Sequence, residues 1–217
     1  NEEIAPSEVA EVASSAGSEV KKLYKVVFKE EHLVEPVDAS TTFELQDYYD
    51  HPEKYRAQFE QYLPHLTVLV NCIYWTPDYP RLVTLDYLRT AWSTADKPRL
   101  RVIGDITCDI DGSVQCTVKS TETGNPVYVY NPLTGEATDG HTGDGPIILA
   151  VDNLPCELPK ESSGFFSRAL VPFIPQLLTA DMTVPFEKLD LPPPLHRAMI
   201  LHQGKLTPNF AHLSKYL

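Results

Sequence analysis

The chain has 217 residues, 42% of them hydrophobic and 22% charged, which is room for one large domain or two small ones with an ordinary soluble composition. The net charge of −12 argues against a general binder of nucleic acid or anionic membranes, and no apolar run approaches the roughly 20 residues of a membrane span. The N-terminus, NEEIAPSEVAEV, has neither the basic nor the apolar region of a signal peptide, and with no initiator Met it suggests a cut from a longer chain.

The four cysteines (Cys72, Cys108, Cys116, Cys156) form no C-x-x-C pair and read as small, buried, reduced residues of an intracellular protein. The histidines show no ligand spacing, so no metal site is expected.

Pro6 to Ser14 predicts a short helix with Pro in its first turn, broken by Gly17 and Ser18. Leu23 to Phe28 is a strand candidate, and Ser40 to Asp50 has no clean period. Pro52 to Leu63 reads as a helix, because Tyr55, Phe59 and Tyr62 fall on one face. Leu66 to Tyr74 is the strongest strand, continuously apolar to Asn71 as strands buried on both faces are. Leu85 to Trp92 predicts a helix, and Leu100 to Ile103 a second buried strand, at a spacing that suits a βαβ unit.

That strand runs into GDITCDIDGS, where Gly104 and Gly112 bracket Asp105, Asp109 and Asp111. From Ser113 to Asp144 the pattern changes. Val114, Cys116 and Val118 alternate with polar residues, as do Val127 and Val129, and turn signals recur, so an antiparallel hairpin or two is expected as an insertion. Gly140 to Gly145 lacks G-x-G-x-x-G spacing and a strand immediately before it. It reads as a loop, with a phosphate cradle as the alternative. Pro146 to Val151 is a third buried strand, ending in Asp152-Asn153-Leu154. A helix from Lys160 to Leu170, a stiff Leu191 to Pro194 linker and a last helix from Leu195 to Gln203, stopped by Gly204, complete the chain.

The expected fold is α/β. It is a Rossmann-like parallel sheet, the C-terminal half of one, with an inserted β-hairpin excursion and C-terminal return helices. Residues 1–155 form a partial cofactor-binding domain and 156–217 the helices. Three buried strands end in polar clusters, Asn71-Cys72, Asp105 to Asp109, and Asp152-Asn153, which a parallel sheet lines up on one rim, where ligands of such sheets bind.

VNCIYW (Val70 to Trp75), the PRL of Pro80 to Leu82, GDITCDIDGS (Gly104 to Ser113) and AVDNLPCELPKESS (Ala150 to Ser163) resemble the lysine–2-oxoglutarate reductase part of the bifunctional aminoadipic semialdehyde synthases. They are similar, more loosely, to the fungal lysine-forming saccharopine dehydrogenases, within the wider alanine dehydrogenase and transhydrogenase group. DYYDHPEKY (Asp47 to Tyr55) and GKLT (Gly204 to Thr207) fit the bifunctional enzymes too.

The resemblance implies an NAD(P)-dependent oxidoreductase of lysine degradation, with NADP(H) ahead of NAD(H). L-lysine and 2-oxoglutarate would be joined and reduced to saccharopine. It implies Asn71, Cys72 and Ile73 along the cofactor, Asp105, Ile106 and Asp109 beside its ribose and nicotinamide, and Asp152, Asn153 and Leu154 on the other side. Asp109 is the candidate catalytic residue, as a fixed anion near the ring. An Asx turn is the structural alternative for it. The family's glycine-rich phosphate loop and its Lys–His acid–base pair fall upstream of Asn1, so these 217 residues alone are expected to be inactive. A fused saccharopine dehydrogenase domain, a homo-oligomer and a mitochondrial or cytoplasmic location also follow from the resemblance, with no nucleic-acid or membrane partner. The alternative is a non-catalytic Rossmann-like binding or regulatory module.

Overall fold

A computed structural model describes residues 2–15 and 22–216, so the predicted break at Gly17 and Ser18 lies outside the described residues. The chain divides into two compact units, one ending at Leu154 and the other beginning at Pro155.

In the first unit, β1 (Glu2–Ile4), α1 (Val9–Ser15), β2 (Tyr24–Val26), α2 (Glu30–Leu33), β3 (Val34–Pro36), α3 (Leu45–Asp50) and β4 (Tyr55–Ala57) come first. They are followed by β5 (Val68–Asn71), α4 (Leu85–Trp92), β6 (Val102–Asp105), β7 (Val127–Tyr130), β8 (Ala137–Asp139) and β9 (Ile147–Leu149). The main sheet has the order β5-β6-β9-β7-β8. β5, β6 and β9 are parallel, and the β7–β8 hairpin joins them antiparallel through β9. The inserted hairpin thus extends the sheet itself.

Register explains the core. Leu69, Ile103, Ile148 and Tyr128 are consecutive partners across four strands, and all four side chains are buried. Alternation then sends their neighbours to the other face. In β5 that face is open: Val68 is 54% exposed and Val70 60%. The expectation of a strand buried on both sides is therefore corrected, because β5 is an edge of this sheet. α4 covers the core with Leu88 and Trp92, and its N-cap Thr84 accepts from the Tyr87 N–H at 3.1 Å.

The helix expected over Pro52 to Leu63 does not form. Two 3-10 turns, Pro52–Lys54 and Phe59–Gln61, flank β4, which pairs antiparallel with β3. Tyr55 and Phe59 do not share a face. Tyr55 joins Val34 and Tyr48 in a small aromatic core, while Phe59 enters the main one. The stretch with no clean period holds α3, whose N-cap Glu44 accepts from the Gln46 and Asp47 N–H groups at 3.2 and 2.5 Å.

Val114 to Val118 form no strand either. Val114 makes one parallel bridge with Val83, and the Asp111 N–H donates to the Thr117 carbonyl at 3.0 Å, folding the segment back on the preceding loop. A strand, β8, does precede the Gly140 to Gly145 tip. The tip leads into the amino end of β9, opposite the carboxyl ends of the parallel strands.

The second unit holds α5 (Pro159–Leu170), α6 (Ile174–Thr179) and α7 (Pro193–Ala198), then a short hairpin of β10 (Leu201–His202) and β11 (Lys205–Leu206). The expected last helix, Leu195 to Gln203, therefore stops early. Gln203 and Gly204 have φ of +49° and +76°, the two left-handed positions of a tight hairpin turn. Gly204 serves that turn and is not a helix stop. Among the described residues no helix is long and apolar enough to cross a membrane.

Candidate functional site

The carboxyl ends of β5, β6 and β9 lie side by side, with Asn71 opposite Asp105 and Gly104 opposite Leu149. Asn71 and Asp105 are each 1% exposed. The Asn71 Nδ2 shares its two hydrogens among three acceptors, Asp105 Oδ1 at 2.8 Å, Thr107 Oγ1 at 2.9 Å and Ser113 Oγ at 2.8 Å. The Thr107 hydroxyl donates to Asp105 Oδ1 at 2.8 Å and the Thr117 hydroxyl to Oδ2 at 2.6 Å. These side chains are spent on one another. Their contribution is to hold the backbone of two strand ends and the loop between them.

The loop after β6 is bent by two non-glycine residues with positive φ, Cys108 at +55° and Asp111 at +52°. The Cys108 thiol donates to the Ala150 carbonyl at 2.8 Å, tying the loop to the end of β9. Burial, then the charges of Asp105, Asp152 and Asp109, pushes that thiol's pKa up. Carboxylates from two of the three clusters therefore converge on one thiol, which stays neutral. The turn closes with the Gly112 N–H donating to the Asp109 carbonyl at 2.9 Å. A Cβ on Gly112 would lie 2.5 Å from the Asp109 Cβ, so only glycine fits there. Among the described residues the Asp109 carboxylate accepts no bond from a loop N–H. It stands exposed and is not spent on an Asx turn.

Arg81 fastens this loop from the side of β5. Its guanidinium donates to the carbonyls of Asp111 and Gly112 at 2.6 and 2.7 Å and to Asp111 Oδ1 at 3.0 Å, and it stacks 5.1 Å from the Trp75 ring centroid. Asp111, the third aspartate of the motif, is thus a partner of Arg81.

Of the remaining candidates, Cys72, Ile106, Asp152 and Asn153 are exposed on the rim, and Ile73 and Leu154 are half-buried there; Cys72 and Cys156 are exposed where burial was expected, because both follow the ends of their strands. The rim presents apolar side chains, backbone and two exposed carboxylates, Asp109 and Asp152. That set fits the nicotinamide and ribose of a dinucleotide. It offers no cation to a pyrophosphate, because Arg81 is committed to the loop. Sequence reasoning missed Arg81, Thr107, Ser113 and Thr117 as supports of the rim. The small hydroxyls next to buried strand ends were the available signal.

Residues 4–209 match the family model of the alanine dehydrogenase/PNT C-terminal domain. The chain belongs to this family. Within reach of the alanine dehydrogenase/PNT C-terminal domain are relatives with longer chains. An alpha-aminoadipic semialdehyde synthase of Arabidopsis thaliana is 36% identical over 93% of this chain and 19% of its own length. The mitochondrial alpha-aminoadipic semialdehyde synthase of Bos taurus is 28% identical over 99% of this chain and 24% of its own length. The NAD(+), L-lysine-forming saccharopine dehydrogenase of Emericella nidulans is 32% identical over 55% of this chain and 30% of its own. The chain thus spans a quarter or less of the semialdehyde synthases it matches. A solved L-alanine dehydrogenase matches in fold with a TM-score of 0.50 at 16% identity, covering 100% of this chain and 46% of that one.

Proposed function

We propose that the rim of β5, β6 and β9 is the nicotinamide-facing edge of a lysine–2-oxoglutarate reductase. The lysine ε-amine would condense with 2-oxoglutarate, and the imine would be reduced to saccharopine. The observation that carries this reading is the free carboxylate of Asp109 on the loop after the middle parallel strand, in a chain similar over 93% of its length to a semialdehyde synthase.

A bound nicotinamide would supply the hydride. Asp109 favours positive charge as it develops on the ring, and a fixed carboxylate needs no reorganisation at that moment. Gly112 and Arg81 set the position of Asp109 by holding the turn that carries it. Asn71 and Asp105 fix the strand ends, leaving Ile73, Ile106 and Leu154 to pack against the ring and sugar. A lysine amine, with an ordinary pKa of about 10.4, must lose a proton before it attacks. The rim offers no lysine or histidine for this among the described residues, so the reading assigns that proton to residues outside this chain. It takes NADPH as the reductant ahead of NADH.

The test follows NADPH and NADH oxidation with lysine and 2-oxoglutarate, using the full gene product that carries these residues, beside its Asp109→Ala variant. Turnover by the parent with a loss of at least roughly tenfold in the variant, about 1.4 kcal/mol of barrier, supports the reading. Equal turnover removes Asp109 from the chemistry. No oxidation by either protein leaves the rim to a non-catalytic binding module.

A further inference from the structure

The second unit has almost no interior of its own. Among its described apolar residues only Leu189 is buried. In α5 the exposure is complete: none of its 12 residues is buried, Phe165 is 71% exposed, and Leu158 just before it is 62% exposed. A helix of this length, about 18 Å, is marginal alone in water and draws its stability from packing an apolar face.

Helical spacing puts Glu161, Phe165 and Arg168 on one side of α5. Glu161 lies in the first turn and Arg168 in the last, and neither makes an ion pair among the described residues. They are separated by about 10 Å along the axis and do not pair with each other. Arg168 folds back over Gly164, where an added Cβ would lie 3.3 Å from its Nη1.

A second helix of the same sequence, laid antiparallel about a two-fold axis between Gly164 and Phe165, turns this layout into complementarity. Residues equally far from that axis come opposite one another. Glu161 meets Arg168 at both ends, Leu158 meets Val171, itself exposed, and the Phe165 ring meets Gly164, which has no side chain to exclude it. A glycine weakens a helix interior, and here it gives the ring its room. A parallel pair would set Glu161 against Glu161 and Arg168 against Arg168, so the charges select the antiparallel one.

We infer that α5 is an interface with a second copy of this chain, an antiparallel two-fold pair bridged at both ends by Glu161 and Arg168. The interface uses no rim residue and needs neither cofactor nor turnover, so it does not depend on the reductase reading.

The test uses the full gene product at micromolar concentration and reads its mass in solution by analytical ultracentrifugation. The parent is expected to self-associate. Glu161→Arg and Arg168→Glu each set like charges against one another and should weaken the association at least roughly tenfold. Mixed together, the two variants regain opposite charges at both ends and should associate as the parent does. Where other surfaces also hold copies together, each variant alone drops one step from the parent's size and the mixture climbs back. A monomeric parent, single variants of unchanged size, or a mixture that stays dissociated overturns the assignment. Unchanged size with slow hydrogen exchange along α5 gives the face to another segment of the same gene product. A parent that shows the mixing behaviour but no lysine-dependent cofactor oxidation would sink the reductase reading and leave this interface standing.

Discussion

Asn71 donates its amide to Asp105 at 2.8 Å, and the two residues are also paired in register at the carboxyl ends of neighbouring parallel strands. The same pair therefore sets the alignment of the sheet and the starting point of the loop that bears Asp109. Removing the carboxylate takes the acceptor from two hydroxyls, Thr107 and Thr117, while the Asn71 amide keeps Thr107 and Ser113 within reach. Asp105→Ala is expected to cost about 3 kcal/mol, seen as a lower urea midpoint with an unchanged slope. A midpoint equal to that of the parent would show that the network carries no stability.

The two glycines that bracket the aspartates are expected to differ in tolerance. An added Cβ at Gly112 would sit 2.5 Å from the Asp109 Cβ and 2.8 Å from its carbonyl oxygen, whereas at Gly104 the nearest atoms are 3.9 Å away. Gly112→Ala should lose about 1–3 kcal/mol, as overpacked sites do, and displace Asp109. Gly104→Ala should stay within about 0.5 kcal/mol of the parent. Thermal melting of the two variants side by side decides this, and similar melting temperatures would count against the turn geometry.

Arg81 holds two successive carbonyls with one nitrogen while its plane lies against Trp75. Lysine has no planar group to do both. Arg81→Lys is expected to behave nearly as Arg81→Ala, at about 1–2 kcal/mol. Hydrogen exchange should quicken at the amides of Asp111 and Gly112 and stay unchanged at Ile103. Full rescue by lysine would reduce Arg81 to a point charge.

Buried phenols give the protein an alkaline limit. Burial, the largest cause in each case, pushes Tyr48 and Tyr87 up to about 12, and Tyr128 higher still. In the unfolded chain the same groups ionise near about 10. Their stabilising effect is therefore whole below about pH 10 and lost as pH rises through the window from about 10 to 12. The urea midpoint should fall from about pH 10 upward, and Tyr87→Phe should make the fall shallower. An identical pH dependence in that variant would refute its part in the effect.

Much of the rim was legible because strand direction and polar strand ends are local properties. The apolar runs around Leu69, Ile103 and Ile148 announce parallel strands, and the side chains that follow them must gather at one edge. α4 was equally clear over Leu85 to Trp92, though its Thr84 cap emerged only in the structure. The failures share a cause, a long-range partner that local pattern does not reveal. Tyr55 left its apparent helical face for Val34 and Tyr48, because β3 offered a strand to pair with. Val114 to Val118 alternate, but Cys116 and Thr117 are both buried, one in the core and one on Asp105, so the alternation had no sheet behind it. Gly204 resembles a helix terminator and a hairpin glycine equally, and only the pairing of Leu201 with Leu206 separates the two. The role of Arg81 was hidden for the same reason, since its partners lie 30 and 31 residues away.

The open face of β5 has a practical side. Val68 and Val70 stand apolar and exposed on a strand that, among the described residues, is hydrogen-bonded on one side alone. A bare, sticky strand edge invites sheet pairing between molecules. The strand that ends in Asn71 is thus both the footing of the site and the place where isolated copies of this chain should first clump. Its solubility during purification should respond to a lysine at position 68 more than to any change on the rim.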